Sequence, residues 1–497
     1  MPTIPSAVES ATGERAPHDP GRARWLALGA IAFAQLMVIL DATVVNIALP
    51  SMQADLGFSD AARQWVVTTY VVAFGGLLML GGRLADMWDR RRLFLIGLVG
   101  FALASGVGGA APNLAVLLVA RAGQGMFATL LTPIAMSLVA VMFPGGRERS
   151  IAFGVFSAVG MAGSAVGLVL GGALTEYLSW RWCMYVNIVL ALPAVLGALL
   201  LVRPVDERAD GRVDVAGAAL GTAGVVAVVY GFSTAESAGW GSPACWLCFV
   251  VGGLALAAFA AVERRAANPI LPPRIIADRT RAGVYVAVLL SQIANYGQFL
   301  FLAYYFQQIK GWAPVTAGAA FLPMTLFLTL GTAVVGPWLV NRLPAQRIIV
   351  PGLLLAALAF ILFAQMRPDS SYWALVIPAH ALMGIGLGIM FNSGSNSATL
   401  GLATSDTGIG SAVYSTFQQL GGATGTALMN TIATSATAAW ILSHPAGTGQ
   451  TGGSAVGTVH GYSVAFWASS AILLVAAALA ALLIRAPRPG DGRPAAK

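Results

Sequence analysis

The chain is expected to be an all-α polytopic membrane protein, and three observations lead there. Hydrophobic residues fill 57% of its 497 positions and charged residues only 10%, against about 25% charged in soluble domains. Mean hydropathy is +0.77. The apolar residues gather into runs of about 20, the length an α-helix needs to cross a hydrocarbon core, and the basic residues sit in the short segments between runs.

Met1–Arg24 is rich in Pro and Ala and has no apolar stretch ahead of Arg22 and Arg24. It reads as a disordered cytoplasmic tail (1–24), not a signal peptide. Apolar runs then start near Trp25, Arg63, Leu93, Leu114, Ile151, Cys183, Val215, Ala244, Ala282, Val315, Ile348, Trp373, Ser411 and Val464, giving fourteen spans. An even count returns both termini to one side. With that side cytoplasmic, the inner segments collect Arg22 and Arg24, Arg83 and Arg90–Arg92, Arg147 and Arg149, Arg203–Arg212, Arg264–Arg281, Arg342 and Arg347, and the C-terminal cluster. The outer segments hold only Arg63, Arg181, Lys310 and Arg367, while Arg121 lies within a span. This is the positive-inside asymmetry, so the net charge of +8 reports topology, not nucleic-acid binding.

Several function classes drop out. No G-x-x-x-x-G-K-[ST] loop occurs, which argues against ATP drive. The four histidines are scattered, so no nucleophile–base set or metal site assembles, and no enzyme is expected. Cys183, Cys245 and Cys248 read as packing residues, because the "CWLC" pair opens an apolar helix without a second ligand pair. Ser443–Tyr462, rich in Gly, Thr and Ser and carrying His444 and His460, reads as a flexible outer linker.

Three ionisable residues remain deep inside spans: Asp41 in "LDATVVNIALP", Arg121 and His380. A carboxylate at the bilayer centre costs roughly 2.5–3.5 kcal/mol on insertion scales, and such residues are functional candidates. Asp41 is either a proton carrier or a static strut between helices. Arg121 is either its coupling partner or a helix lock. His380 is either a second proton site or one end of an interhelical hydrogen bond. At 100° per residue, Gln35 and Asn46 fall about 20° apart on one helix face, with Asp41 roughly 120–140° away. An unbroken helix would turn Gln35 and Asn46 to a cavity and Asp41 to a helix interface. Further candidates for an apolar cavity with a few polar groups are Gln292, Asn295 and Tyr296 in the ninth span, His380 and Asn392 in the twelfth, and Tyr414 and Gln418 in the thirteenth. Acids at membrane depth are scarce, and Glu176 and Glu236 lie toward the outer face, so the cavity suits neutral, zwitterionic or singly charged molecules.

Motifs at helical spacing add detail. "GGRLADMWDRRRL" (Gly81–Leu93) places Gly82, Asp86, Arg90 and Arg91 in a tight turn, where an acid followed by arginines can lock two helix ends and release them. "LLVARAGQGMFATLLTP" sets Arg121, Gly125, Ala128 and Thr132 along one stripe. "GSAVGLVLGG" spaces Gly163, Gly167 and Gly171 four apart, with Gly172 alongside, a close-packing face.

Together and in this order, these motifs, with "SWRWCMYVN" (Ser179–Asn187) and "DVAG" (Asp214–Gly217), resemble the fourteen-helix drug–proton antiporter branch of the major facilitator superfamily. "GPWLVNRLPAQR" (Gly336–Arg347) is similar to a degenerate second copy of the loop motif, as an internally repeated transporter should carry. The resemblance implies two six-helix bundles, 25–202 and 282–485, around a central cavity. Two additional central helices would lie in a charged link, 203–281, and a cytoplasmic tail would follow, 486–497. It also implies a monomeric exporter in the bacterial cell membrane that exchanges lipophilic drugs or natural products for protons, with no cofactor beyond the proton gradient. A dedicated exporter of a secondary metabolite or lipid, or a proton-coupled importer, remains open. Asp89 stands where the loop motif usually has glycine, and Leu168 where the antiporter motif usually has proline. The missing proline would remove a bend and bears on gating.

Overall fold

A computed structural model describes residues 20–143, 146–202, 215–266, 277–400, 407–444 and 451–484. Residues 1–19 of the first tail, the tail at 486–497, and 203–214 and 267–276 of the charged link lie outside the described residues.

Among the described residues, fourteen long helical segments follow in chain order. They are α1 (Pro20–Leu56), α2 (Asp60–Met87), α3 (Arg90–Gly109), α4 (Leu114–Met142), α5 (Gly146–Tyr177), α6 (Trp182–Leu201), α7 (Val215–Ala238) and α8 (Pro243–Glu263). After these come α9 (Arg279–Ile309), α10 (Pro314–Val340), α11 (Gln346–Phe363), α12 (Tyr372–Thr399), α13 (Thr407–Ser443) and α14 (Thr451–Leu483). Among the described residues, ten of them are long and apolar enough to cross a membrane by length and composition. The other four, α2, α5, α7 and α13, sit where the two halves of the molecule meet.

Local chemistry sets the helix ends. Side-chain oxygens of Ser59, Asp89, Asn113 and Asp278 accept from backbone N–H groups in the first turns of α2, α3, α4 and α9, satisfying donors that have no intrahelical partner. Gly57 and Gly311 take φ of +66°, where a side chain would be strained, and turn the chain after α1 and α9. The first helix opens at Pro20, not Trp25. Proline is suited to an opening turn because its missing N–H is not needed there.

Helix packing repeats with an offset of eight. In the first half α2 packs on α4, α3 on α4, α1 on α5, α1 on α6 and α3 on α6. In the second half α10 packs on α12, α11 on α12, α9 on α13, α9 on α14 and α11 on α14. Side-chain detail repeats too. Arg91, at the start of α3, donates Nε to Ala198 O (3.1 Å) and Nη2 to Leu199 O at the end of α6. Gln346, at the start of α11, donates Nε2 to Ala481 O (2.6 Å) near the end of α14. Donors placed there satisfy carbonyls left free at a helix C-terminus. The halves meet along two seams related by the same repeat, α2 against α13 and α5 against α10. The inserted helix α7 lies against α2 and α13 and carries α8 on its other side. Thr222 Oγ1 donates to Gly76 O (2.9 Å) and Thr431 Oγ1 to Phe232 O (3.1 Å), pinning α7 to both halves.

One expectation is corrected. Ser443–Tyr462 is not a linker throughout: α14 begins at Thr451, eleven residues before the expected end of that linker at Tyr462. The small residues that suggested a loop instead allow close helix contact. A Cβ on Gly457 would come 2.8 Å from the Trp440 ring, and one on Gly461 would run into Thr437 and Ala433 O. Gly461→Leu is therefore expected to destabilise the protein by about 1–3 kcal/mol through overpacking. Thermal unfolding in detergent checks this, with Val456→Leu at an exposed position of the same helix as the control that should not move.

Candidate functional site

A buried polar centre lies in the first half. Asp41, on the unbroken helix α1, is fully buried, and Arg121 on α4 is 1% exposed. Arg121 Nη1 donates to Asp41 Oδ2 at 2.6 Å, so the two charges form an ion pair that sequence alone could not establish. Two carboxamides complete the ligation of Asp41: Gln124 Nε2 and Asn187 Nδ2 donate to Oδ1 at 2.8 and 2.7 Å. The guanidinium also donates to Gln124 Oε1 (2.9 Å) and, through Nε, to Val66 O (3.0 Å). Its other face lies 4.4 Å above the Tyr70 ring. Ser105 Oγ accepts from Gln124 and Asn187 at 2.7 and 3.2 Å. Five helices, α1, α2, α3, α4 and α6, thus meet on one carboxylate–guanidinium pair. Buried ions hold together only when hydrogen bonds satisfy both partners, and this cluster supplies those bonds.

Gln35 and Asn46 lie elsewhere on α1, both half-buried. Asn46 Nδ2 donates to Ala42 O of its own helix (2.8 Å), and Gln35 lies near Gly160 of α5. The glycine face of α5 lies against α1: a Cβ on Gly163 would meet Leu36 at 2.8 Å and one on Gly171 would meet Val44 Cα at 2.9 Å, while Gly167 faces Thr43. Gly172 points the other way, across the seam, where a Cβ would fall 2.5 Å from Val315 Cα. Leu168 is buried in an uninterrupted helix, and its carbonyl lies against Gly318 of α10.

In the loop motif Arg91 clamps the end of α6, and Asp89 accepts from Arg91 N at 2.9 Å. The aspartate found in place of the usual glycine therefore caps α3. Arg90 lies at the helix start. Gly82 and Asp86 fall in the last turns of α2, and their surroundings lie outside the described residues, as does the side chain of Glu236.

The second half has a different polar content at the corresponding depth. His380 on α12 is fully buried between the rings of Phe321 (6.0 Å) and Phe363 (5.6 Å). Its Nε2 lies 3.4 Å from Nε2 of Gln298 on α9. Along α9, the buried carbonyl oxygens of Gln292, Asn295 and Gln298 have no hydrogen-bond partner, and Tyr296 Oη donates to Gln419 Oε1 (3.4 Å). Gln418 is half-buried on α13. Asn392 and Tyr414 line a cleft of about 620 Å³ with Thr332, Asn341, Ser395 and Asn396. Among the described residues its side chains are amides, hydroxyls, aromatic rings and aliphatic groups, without a charged residue.

Polar contacts between the halves gather at the end of the bundle that carries the α1–α2 turn. Arg63, 5% exposed, donates Nη2 to Asn430 Oδ1 (3.4 Å) and lies 4.3 Å over the Tyr304 ring. Tyr304 Oη donates to Gln53, Gln307 Nε2 to Ile47 O (3.0 Å), and Val315 N to Glu176 Oε2 (3.1 Å). Glu176 thus binds a backbone amide of the opposite half.

Residues 31–426 match the model of the major facilitator superfamily. The chain belongs to that superfamily. It is 48% identical, over 94% of its length and 92% of the relative's, to a puromycin resistance protein of Streptomyces alboniger. It is 38% identical to a cephamycin export protein of Amycolatopsis lactamdurans, covering 83% and 86% of the two chains. Major facilitator proteins are transporters and not enzymes. Among solved structures, a bacterial homologue of the human lysosomal transporter Spinster in an inward-facing, unoccupied conformation shares the fold with a TM-score of 0.67 at 18% identity, covering 93% of this chain and 97% of that one.

Four residues of the polar centre and of the contacts between the halves escaped the sequence reading. Gln124 and Asn187 lie inside quoted motifs, yet an amide in an apolar helix usually only bonds a neighbour. Ser105 carries no charge to mark it. Arg63 looked like an outer-loop cation because it stands four residues into α2, but the turn folds it under the second half.

Proposed function

We propose that this chain exports lipophilic antibiotic-type molecules in exchange for protons by alternating access, with Asp41 as the proton carrier and Arg121 as its counter-charge. The observation that carries the reading is the buried ion pair at 2.6 Å, in a superfamily member related over most of its length to proteins named for resistance and export. A buried carboxylate with one cation and two amide donors exchanges a proton only when a conformational change alters its surroundings. All fourteen helices cross the bacterial cell membrane with both termini in the cytoplasm, and the monomer is the working unit. Contacts at the α1–α2 end then close the outer side. The cleft beside Asn392 and Tyr414 opens toward the inner side and receives substrate through neutral polar and aromatic groups. Gln35, Asn46, Gln292, Asn295, Tyr296, His380 and Gln418 contribute to the same passage, and the Gly82–Arg91 turn hinges with the moving helices. The uncharged cleft favours neutral or singly charged substrates. A narrower reading, export of one natural product, is supported by relatives named for single antibiotics.

Proteoliposomes with an imposed pH gradient test both. Addition of puromycin, a cephamycin and an unrelated lipophilic dye is expected to trigger proton release. Release with one compound alone selects the narrower reading, and release with none rejects proton-coupled export of this class.

A further inference from the structure

The polar centre contains two carboxamides that are not equivalent. Gln124 is held at both ends: Nε2 binds Asp41 and Ser105, and Oε1 binds Arg121 Nη1. Asn187 is held at one end only. Its Nδ2 donates to Asp41 Oδ1 and Ser105 Oγ, while its Oδ1 is buried without a hydrogen-bond partner. Among the described residues, every group hydrogen-bonded to the Asp41 carboxylate is a donor, so the arrangement fits the ionised acid. A protonated Asp41 presents an O–H that needs an acceptor, and none of its present contacts supplies one. The guanidinium has no acceptor atom, and turning Gln124 would strip Arg121 of a partner.

We propose that Asn187 is the positioning residue that lets this site hold either protonation state. When Asp41 takes a proton from water onto Oδ1, the Asn187 carboxamide rotates by half a turn. Its Oδ1 then accepts from the new Asp41 O–H and from the Ser105 hydroxyl, whose own hydrogen is freed to point there. Loss of the proton to water reverses the rotation. No other bond forms or breaks. The two orientations differ by an exchange of N and O in one plane, so the site changes state without repacking its neighbours.

The inference rests on the reading that Asp41 carries the coupling proton. The charged and titratable groups around Asp41 are Arg121 from α4, Tyr70 from α2, which also stacks on that guanidinium, and Cys183 from α6. Ser105 faces it from α3, and α5 meets this stretch of α1 through its glycines.

Infrared difference spectra of the full-length protein in lipid, taken across a pH titration, test the idea. Wild type, wild type with isotope-labelled asparagine, Asn187→Leu, Asn187→Gln and Asp41→Asn are compared. In wild type a protonated-carboxyl band is expected at low pH together with a shift of a labelled side-chain amide band. The labelled-asparagine shift should vanish in Asn187→Leu, and in Asn187→Gln a side-chain amide shift that asparagine labelling does not move should take its place. Gradient-driven substrate accumulation should fall about tenfold or more in Asn187→Leu, as expected for a lost hydrogen bond to a charged group, and recover in part in Asn187→Gln. A carboxyl band that appears without any asparagine signal, and disappears in Asp41→Asn, overturns the rotation while leaving Asp41 as the carrier. A carboxyl band that survives Asp41→Asn removes the underlying reading and the rotation with it. Wild-type spectra decide the question even if Asn187→Leu does not fold.

Discussion

Asp41→Asn is expected to abolish gradient-driven transport and to weaken the fold, and a double variant should separate the two effects. The substitution leaves the Arg121 guanidinium buried with no counter-charge, and breaking a buried pair by removing one partner costs about 3–5 kcal/mol. Arg121→Gln leaves a buried carboxylate facing two amides and should cost a similar amount. Asp41→Asn combined with Arg121→Gln removes both charges, and with them the uncompensated buried charge that makes each single variant costly. The double variant should therefore recover most of the lost unfolding temperature while transport stays at the level of protein-free vesicles. Thermal unfolding in detergent and gradient-driven uptake into inside-out vesicles read the two quantities separately. Single and double variants of equal stability would show that the 2.6 Å contact does not hold the folded protein together. Full transport by Asp41→Asn would remove the proton carrier from the proposal.

The ion pair explains why parts of this protein can be read from sequence and others cannot. Asp41 and Arg121 stand out because a charge inside an apolar run carries a cost that demands an explanation. Their partners carry no such mark. Gln124, Asn187 and Ser105 are brought together from three helices, α4, α6 and α3, and only packing shows that all reach the same carboxylate. Helix number was legible for the same reason as the charges: a span has a fixed length and a composition unlike its surroundings. Helix ends were not. α14 begins among glycines and threonines that serve as loop residues in water but as contact residues against α13. The eight-helix offset between the halves leaves little trace beyond the degenerate loop motif at Gly336–Arg347, because packing pairs can repeat while the side chains that make them diverge. Arg91 and Gln346 illustrate this: a guanidinium and an amide bind the ends of α6 and α14 from equivalent positions.

Gly172→Val is expected to have the second-largest effect, by holding the α5–α10 seam open. A Cβ at this position would lie 2.5 Å from both Pro314 O and Val315 Cα, backbone atoms that cannot move aside as a side chain could. On the same seam, Gly318 lies against the carbonyl of Leu168, so the two glycines let α5 and α10 touch backbone to backbone. Leucine at 168 belongs to this arrangement: proline there would remove an N–H from the helix ladder and bend α5 where it must run straight along α10. Overpacking of this kind costs about 1–3 kcal/mol, and the cost falls only on the state in which the seam is closed. A bias of that size shifts a two-state equilibrium by about 5- to 150-fold. In the proposed alternating-access cycle the seam closes once per turnover, so turnover should fall in proportion while the polar centre at Asp41 remains intact. Spin labels at Tyr177 and Trp373, both exposed in this structure and placed on opposite halves, should report a longer separation in Gly172→Val than in Gly172→Ala, with wild type shortest. An unchanged distance distribution together with wild-type turnover would mean that the contact between α5 and α10 is not the closed state of a gate.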